Sequence, residues 1–142
     1  MATTNTYLTF EGTCEQAFTF YRSVFGGEFT YIARFSDIPP SEEFFVEEGD
    51  KDKIMHVSLP IGQSVLMGSD NSCANPVKFI QGNNFSVSVI VQSKQEANDI
   101  FQGLSDGATI VMPLADMFWG DYYGMLVDKF RIQWMVNFSN EQ

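Results

Sequence analysis

Cysteine and histidine are scarce in this 142-residue chain, and their scarcity removes whole classes of chemistry. Two cysteines, Cys14 and Cys73, give neither a disulfide framework nor the paired spacing of a metal knuckle. A chain of this length buries a sizeable interior without such staples, as one domain or as two small modules sharing a core. With one histidine, His56, any site that needs two imidazoles must borrow one from another subunit. Basic residues are also few. Eight Lys and Arg stand against 18 Asp and Glu, a formal charge of -10 that repels phosphate backbones, so nucleic acid is not an expected partner. No apolar run approaches the roughly 18 residues of a membrane span, and the opening MATTNTYLTF lacks a basic segment followed by a long apolar core. The expectation is a soluble cytoplasmic protein with free thiols and no membrane partner.

Phenylalanine is abundant, with 14 copies, and predicts a bulky aromatic interior whose irregular gaps can become pockets. Tyr7 to Phe10 reads as a strand ended by Glu11 and Gly12. Thr13 and Gln16 have capping-box spacing, and a helix follows to Phe25 with Ala17, Phe20, Tyr21 and Val24 as its buried stripe. Gly26 and Gly27 supply its exit, and Glu28 to Phe35 reads as a second strand. From Ser36 to Lys53 the pattern breaks into a charged loop with adjacent prolines. Its bland reading is a solvated excursion; Phe44 and Phe45 keep a lid in view. Ile54 to Pro60 and Ser64 to Ser69 read as two strands. In the first, Met55, Val57 and Leu59 form one face, and Ile54, His56 and Ser58 the other.

After a linker at Asn71 to Asn84 the order returns: a strand from Phe85 to Val91, a second capping box at Ser93 and Glu96, and a helical stripe of Ala97, Ile100, Phe101 and Leu104. Three strands complete it, from Thr109 to Leu114 and in the aromatic stretch Pro113 to Asn137, which holds Trp119 and Trp134 and turns at Asp128 and Lys129. Strand, capped helix and three strands thus occur twice, in modules of about 1–70 and 85–142 within a single domain.

The motifs YLTFEGTCEQAFTFYRSVFGG, KIMHVSLPIG, VLMGSD, MPLADMFWG and DKFRIQWMVN, in this order, resemble the PhnB-like branch of the glyoxalase/bleomycin-resistance (vicinal oxygen chelate) superfamily over nearly the whole chain. The resemblance implies an α+β fold. Two βαβββ modules form a curved, barrel-like mixed sheet with helices on its convex side, the two close one cleft, and the protein is commonly a homodimer. Some members of the branch carry a 3-demethylubiquinone methyltransferase label, but no glycine-rich loop follows a strand here to hold a nucleotide-bearing methyl donor. In metal-using relatives the ligands come from the first and last strands of each module, mostly as histidine, glutamate or glutamine. The corresponding strands here offer Tyr7 and Thr9, Leu66 and Met67, Ser86 and Ser88, Gln133 and Trp134, of which Gln133 alone is a recognisable donor. Arg131 stands where the branch's DKFG-like turn has glycine.

No metal ligand, catalytic residue or cofactor is therefore assigned. The reading is a small-molecule-binding cleft without a complete metal site, furnished by His56, Ser88, Trp119, Tyr122 and Gln133. Two alternatives stand beside it: a divalent-metal-dependent lyase, isomerase or dioxygenase of the vicinal oxygen chelate type, and a self-associating protein whose cleft is filled by its own side chains. His56 itself fits three roles: a hydrogen-bonded structural histidine, a cavity residue that meets a ligand, or a metal ligand. Trp119 fits a core or a pocket wall.

Overall fold

The computed structural model of the chain describes residues 1–39 and 46–140. They form two compact units, Met1–Ile80 and Gln81–Gln142. The first contains β1 (Tyr7–Phe10), α1 (Cys14–Phe25), β2 (Tyr31–Arg34), β3 (Ile54–Ile61) and β4 (Ser64–Asp70). The second contains β5 (Val87–Ile90), α2 (Lys94–Leu104), β6 (Thr109–Asp116), β7 (Asp121–Val127) and β8 (Gln133–Ser139). Each unit builds its own four-stranded mixed sheet, ordered β1-β4-β3-β2 in one and β5-β8-β7-β6 in the other. In both, the first strand runs parallel to the last and the other pairs are antiparallel. The duplication legible in element order therefore extends to strand order, and the fold is α+β.

In the first unit α1 packs on β3 and β4. Its buried residues are Cys14, Ala17, Phe18 and Tyr21, the i, i+3, i+4, i+7 stripe of an amphipathic helix. This corrects the expected stripe: Phe20 and Val24 are only half-buried, and Phe18 takes the central place. The cause lies in β4. Gly68 has no side chain, and a Cβ there would stand 2.5 Å from the Phe18 ring, so the ring occupies the space the glycine leaves. The expected cap at Thr13 is also absent, since its side chain makes no capping hydrogen bond. Instead Asp70, at the end of β4, accepts from the backbone N–H of Gly12 and Cys14 through one oxygen (3.0 and 2.9 Å) and from Ile54 N–H through the other (2.9 Å). One buried carboxylate thereby serves the helix start and the first residue of β3.

The alternation expected along β3 holds from His56 onward but not at its start. Ala33 pairs with His56 and Arg34 with Ile54, so Met55 is an extra residue opposite β2, and Ile54 turns inward to be 1% exposed. The linker residues 71–84 form neither helix nor strand. Phe44 and Phe45, the residues behind the lid reading, lie outside the described residues.

In the second unit α2 packs on β8 and β7, burying Ala97, Phe101 and Leu104 against Leu126, Trp134 and Val136. Here the N-cap is as the spacing predicts, with Ser93 Oγ accepting from Glu96 N–H at 3.0 Å. The Glu96 carboxylate accepts from Gln92 N–H at 2.8 Å rather than from Ser93. Beyond β7, Asp128 plays the stapling role of Asp70. It accepts from the N–H groups of Phe130 (2.7 Å) and Ile132 (3.0 Å) and from the indole N–H of the fully buried Trp134 (2.8 Å).

Candidate functional site

With a helix on one face of each sheet, side-chain alternation leaves the other face open. On the open face of the first sheet, register aligns Tyr7, Met67, Ser58 and Tyr31 in one row across β1, β4, β3 and β2. His56 lies two residues from Ser58 and shares its face. Its Nε2 is 2.9 Å from Ser58 Oγ and its Nδ1 is 3.1 Å from the Tyr7 hydroxyl. The imidazole sits between two phenol rings, with centroids 5.5 Å from Tyr7 and 5.8 Å from Tyr31. Tyr7 and Tyr31 remain 47% and 51% exposed. Both hydroxyl partners can donate or accept, so either imidazole tautomer is satisfied. Thr9 and Ser69, paired beyond Tyr7 and Met67, add two more hydroxyls to this face. Among the described residues no acidic strand residue and no Lys or Arg stands on it: Arg34 turns to the helix side, where it pairs with Glu15 of α1, and Asp70 is buried there.

On the second sheet the open face carries Ser88, Met135, Met125 and Met112 in a row across β5, β8, β7 and β6. Gln133 shares that face, its amide nitrogen donating to the Phe85 carbonyl. Tyr122 does not. It lies on the helix side, where its hydroxyl donates to Asn98 Oδ1 (2.6 Å) and Lys94 Nζ stands 5.0 Å from its ring centroid. Lys94 also bridges Asp116 at 2.9 Å, which holds that carboxyl below the usual range. Trp134 likewise faces the core. Trp119 sits in the β6–β7 turn, 48% exposed, with its indole N–H donating to Asp121 (3.2 Å) and its ring 6.2 Å from Tyr123. Burial pushes the Tyr123 phenol above its ordinary value.

Of the residues expected to line a site, His56 thus lies on the open face of one unit, Ser88 and Gln133 on that of the other, Trp119 at a turn beside it, and Tyr122 on the opposite side. Tyr31 and Tyr123 were not among them. Ser58 follows from His56 by period two, but Tyr7 and Tyr31 stand 49 and 25 positions from it by direct numbering and reach it only through the order of strands in the sheet.

The fold family implies a divalent metal, and the donor set does not fit one. Among the described residues no group of three or more His, Cys, Asp and Glu is placed to hold an ion. The open-face positions of β1, β4, β5 and β8 carry mainly phenol, hydroxyl and thioether groups, poor partners for a hard cation.

Residues 4–136 match the model of the Glyoxalase/Bleomycin resistance protein/Dioxygenase superfamily. The chain is 28% identical to Protein YjdN of Escherichia coli, over 96% of this chain and 95% of that one. Among solved structures, protein PA1353 from Pseudomonas aeruginosa is 38% identical with a TM-score of 0.81, covering 98% of both chains. A PhnB protein from Bacillus cereus, described as a putative 3-demethylubiquinone-9 3-methyltransferase, is 24% identical with a TM-score of 0.73, over 97% of this chain and 100% of that one. The repeated β1-β4-β3-β2 sheet and these matches across nearly the full length agree: the chain belongs to the glyoxalase/bleomycin resistance protein/dioxygenase superfamily, with PhnB-like relatives.

Proposed function

We propose that this protein binds a small organic molecule on the open face of its first unit, with His56 as the polar centre, and that it does so without a metal ion. The observation that carries the reading is the position of His56 between two half-exposed phenol rings, with both ring nitrogens within hydrogen-bond distance of hydroxyls. Each hydroxyl can reverse its role, so the network can present donors or acceptors to a ligand by rotating protons rather than by moving atoms. Among the described residues no acidic strand residue stands on this face, which lowers the local repulsion of anionic oxygen-bearing groups in a chain of charge -10. The rings supply stacking surface. In the second unit, taken by itself, Ser88 and Gln133 on the open face and Trp119 at the turn are contact points of a separate surface. We also take the protein to be a cytoplasmic homodimer, in keeping with its exposed apolar residues.

A thermal-shift screen of small hydroxylated and carboxylated aromatics tests this. A compound at about 100 times its Kd stabilises the fold by about 2.7 kcal/mol. His56→Ala and Tyr7→Phe are each expected to remove at least half of the shift. Stabilisation unchanged in both variants places binding elsewhere, and a shift that appears only with added divalent metal overturns the metal-free reading.

A further inference from the structure

We infer that the β6–β7 turn is a binding site for an organic cation, a quaternary or methylated ammonium group held by the rings of Phe118, Trp119 and Tyr123 beside the carboxylate of Asp121. The site lies in the second unit and rests on none of the reasoning about His56.

Two rings lie beside one indole, each steeply inclined to it. Phe118 and Trp119 are 88° apart with centroids 5.0 Å apart, and Trp119 and Tyr123 are 62° apart at 6.2 Å. Rings set at such angles form walls rather than a stack, and the negative face of each attracts a cation. Asp121 accepts the Trp119 indole N–H at 3.2 Å, which fixes the indole and brings a carboxylate to its edge. A surface hydrophobic cluster would shelter its members, yet Phe118 is 98% exposed and Trp119 48%, while the other tryptophan of the unit is fully buried.

Looseness does not account for that exposure. Met117 N–H donates to the Asp121 carbonyl at 2.7 Å and Gly120 N–H to the Met117 carbonyl at 3.0 Å, closing a tight turn. Asn140 then clamps the Gly120 carbonyl through its side-chain amide at 2.9 Å. Gly120 has φ 104°, a conformation that other residues adopt only at a cost, so the turn is held in one geometry. A turn backbone held in this way loses little freedom when a ligand arrives. Electrostatics point the same way. No Lys or Arg occurs between Leu114 and Val127, the nearby Lys94 is engaged by Asp116, and the net charge of -10 concentrates cations at the surface.

Titration of the full-length protein with choline and with tetramethylammonium at low ionic strength tests the site. The uncharged isostere 3,3-dimethylbutanol serves as the control, and the two indole N–H resonances as the readout. The Trp119 resonance is expected to move saturably while that of Trp134 stays put. Choline should bind at least about fivefold tighter than the isostere. Asp121→Asn should weaken choline about three- to tenfold, and rising salt should weaken it further. Phe118→Ala should weaken the choline response at Trp119 at least about threefold, with the unshifted Trp134 resonance reporting an intact fold. Equal affinity for the isostere reduces the feature to an apolar patch and overturns the proposal. So does a Trp119 resonance that stays still up to about 50 mM choline, a concentration beyond the range of specific recognition.

Discussion

Arg131 adopts φ 70°, the only non-glycine residue with positive φ among the described residues. It ends the turn that Asp128 organises, donating its N–H to the Asp128 carbonyl at 2.9 Å, and its side chain is exposed. The glycine-bearing turn implied by the family resemblance is thus kept in shape although an arginine fills it. A side chain with a Cβ costs roughly 1–2 kcal/mol in this region, part of which the extra unfolded-state freedom of glycine gives back. Arg131→Gly is therefore expected to stabilise the protein by about 0.5–1 kcal/mol, read as a higher urea midpoint at unchanged m-value. A lower midpoint would mean that the guanidinium contributes more than the strain removes. Cys14 illustrates the opposite kind of legibility. Its place at a helix start was clear from sequence, but that burial and the nearby Asp70 push its thiol far up, leaving it inert at neutral pH, required the fold.

At the scale of elements, the two helices meet their sheets through glycine. Gly68 of β4 lies under Phe18, and Gly124 of β7 under Phe101, where added Cβ atoms would fall 2.5 Å and 2.8 Å from the rings. Gly68 is the tighter case, because its Cβ would also stand 2.9 Å from the Leu8 carbonyl oxygen, which cannot retreat without disturbing the β1–β4 ladder. Gly68→Ala should cost about 2–3 kcal/mol in chemical denaturation. Phe18→Leu in the same chain should return only part of it, since the backbone contact persists; full recovery would place all of the strain in the ring. These glycines explain why the helical stripe was misread. Periodicity alone permits Ala17 to be joined by either Phe18 or Phe20, and the choice falls to a gap 50 positions away. The failed Thr13 cap has the same origin, because Asp70, distant in sequence, reaches the helix start first. By contrast the Ser93 cap is a contact within four residues, and there sequence spacing sufficed.

For the whole molecule, exposed apolar side chains need an account. Val77, Ile80 and Phe85 are exposed at 69%, 79% and 63%, and β6, at one edge of its sheet, exposes Ile110, Val111 and Met112. Unpaired edges and apolar patches of this kind are usually covered. Pro113 and two register slips along β6 make simple strand addition at that edge unfavourable, so side-chain packing is the expected means of covering it. Sedimentation equilibrium at micromolar concentration should give twice the 16.0 kDa chain mass, independent of moderate salt because the contacts are apolar. A monomer mass maintained to about 100 µM would remove the dimer.

The sequence by itself determined the class of fold, the doubling of strand, helix and three strands, the start of α2 and the placing of His56 on the strand face opposite Val57 and Leu59. All of these rest on spacings within one element or on the order of elements, which the chain records directly. Tertiary structure alone decided which side chains meet. It set Tyr7 and Tyr31 about His56, sent Tyr122 to the helix side, gave Asp70 the duty expected of Thr13 and drew Ile54 inward by a one-residue slip. Strand register and cross-sheet reach are set by packing between segments far apart in the chain, and no local pattern encodes them.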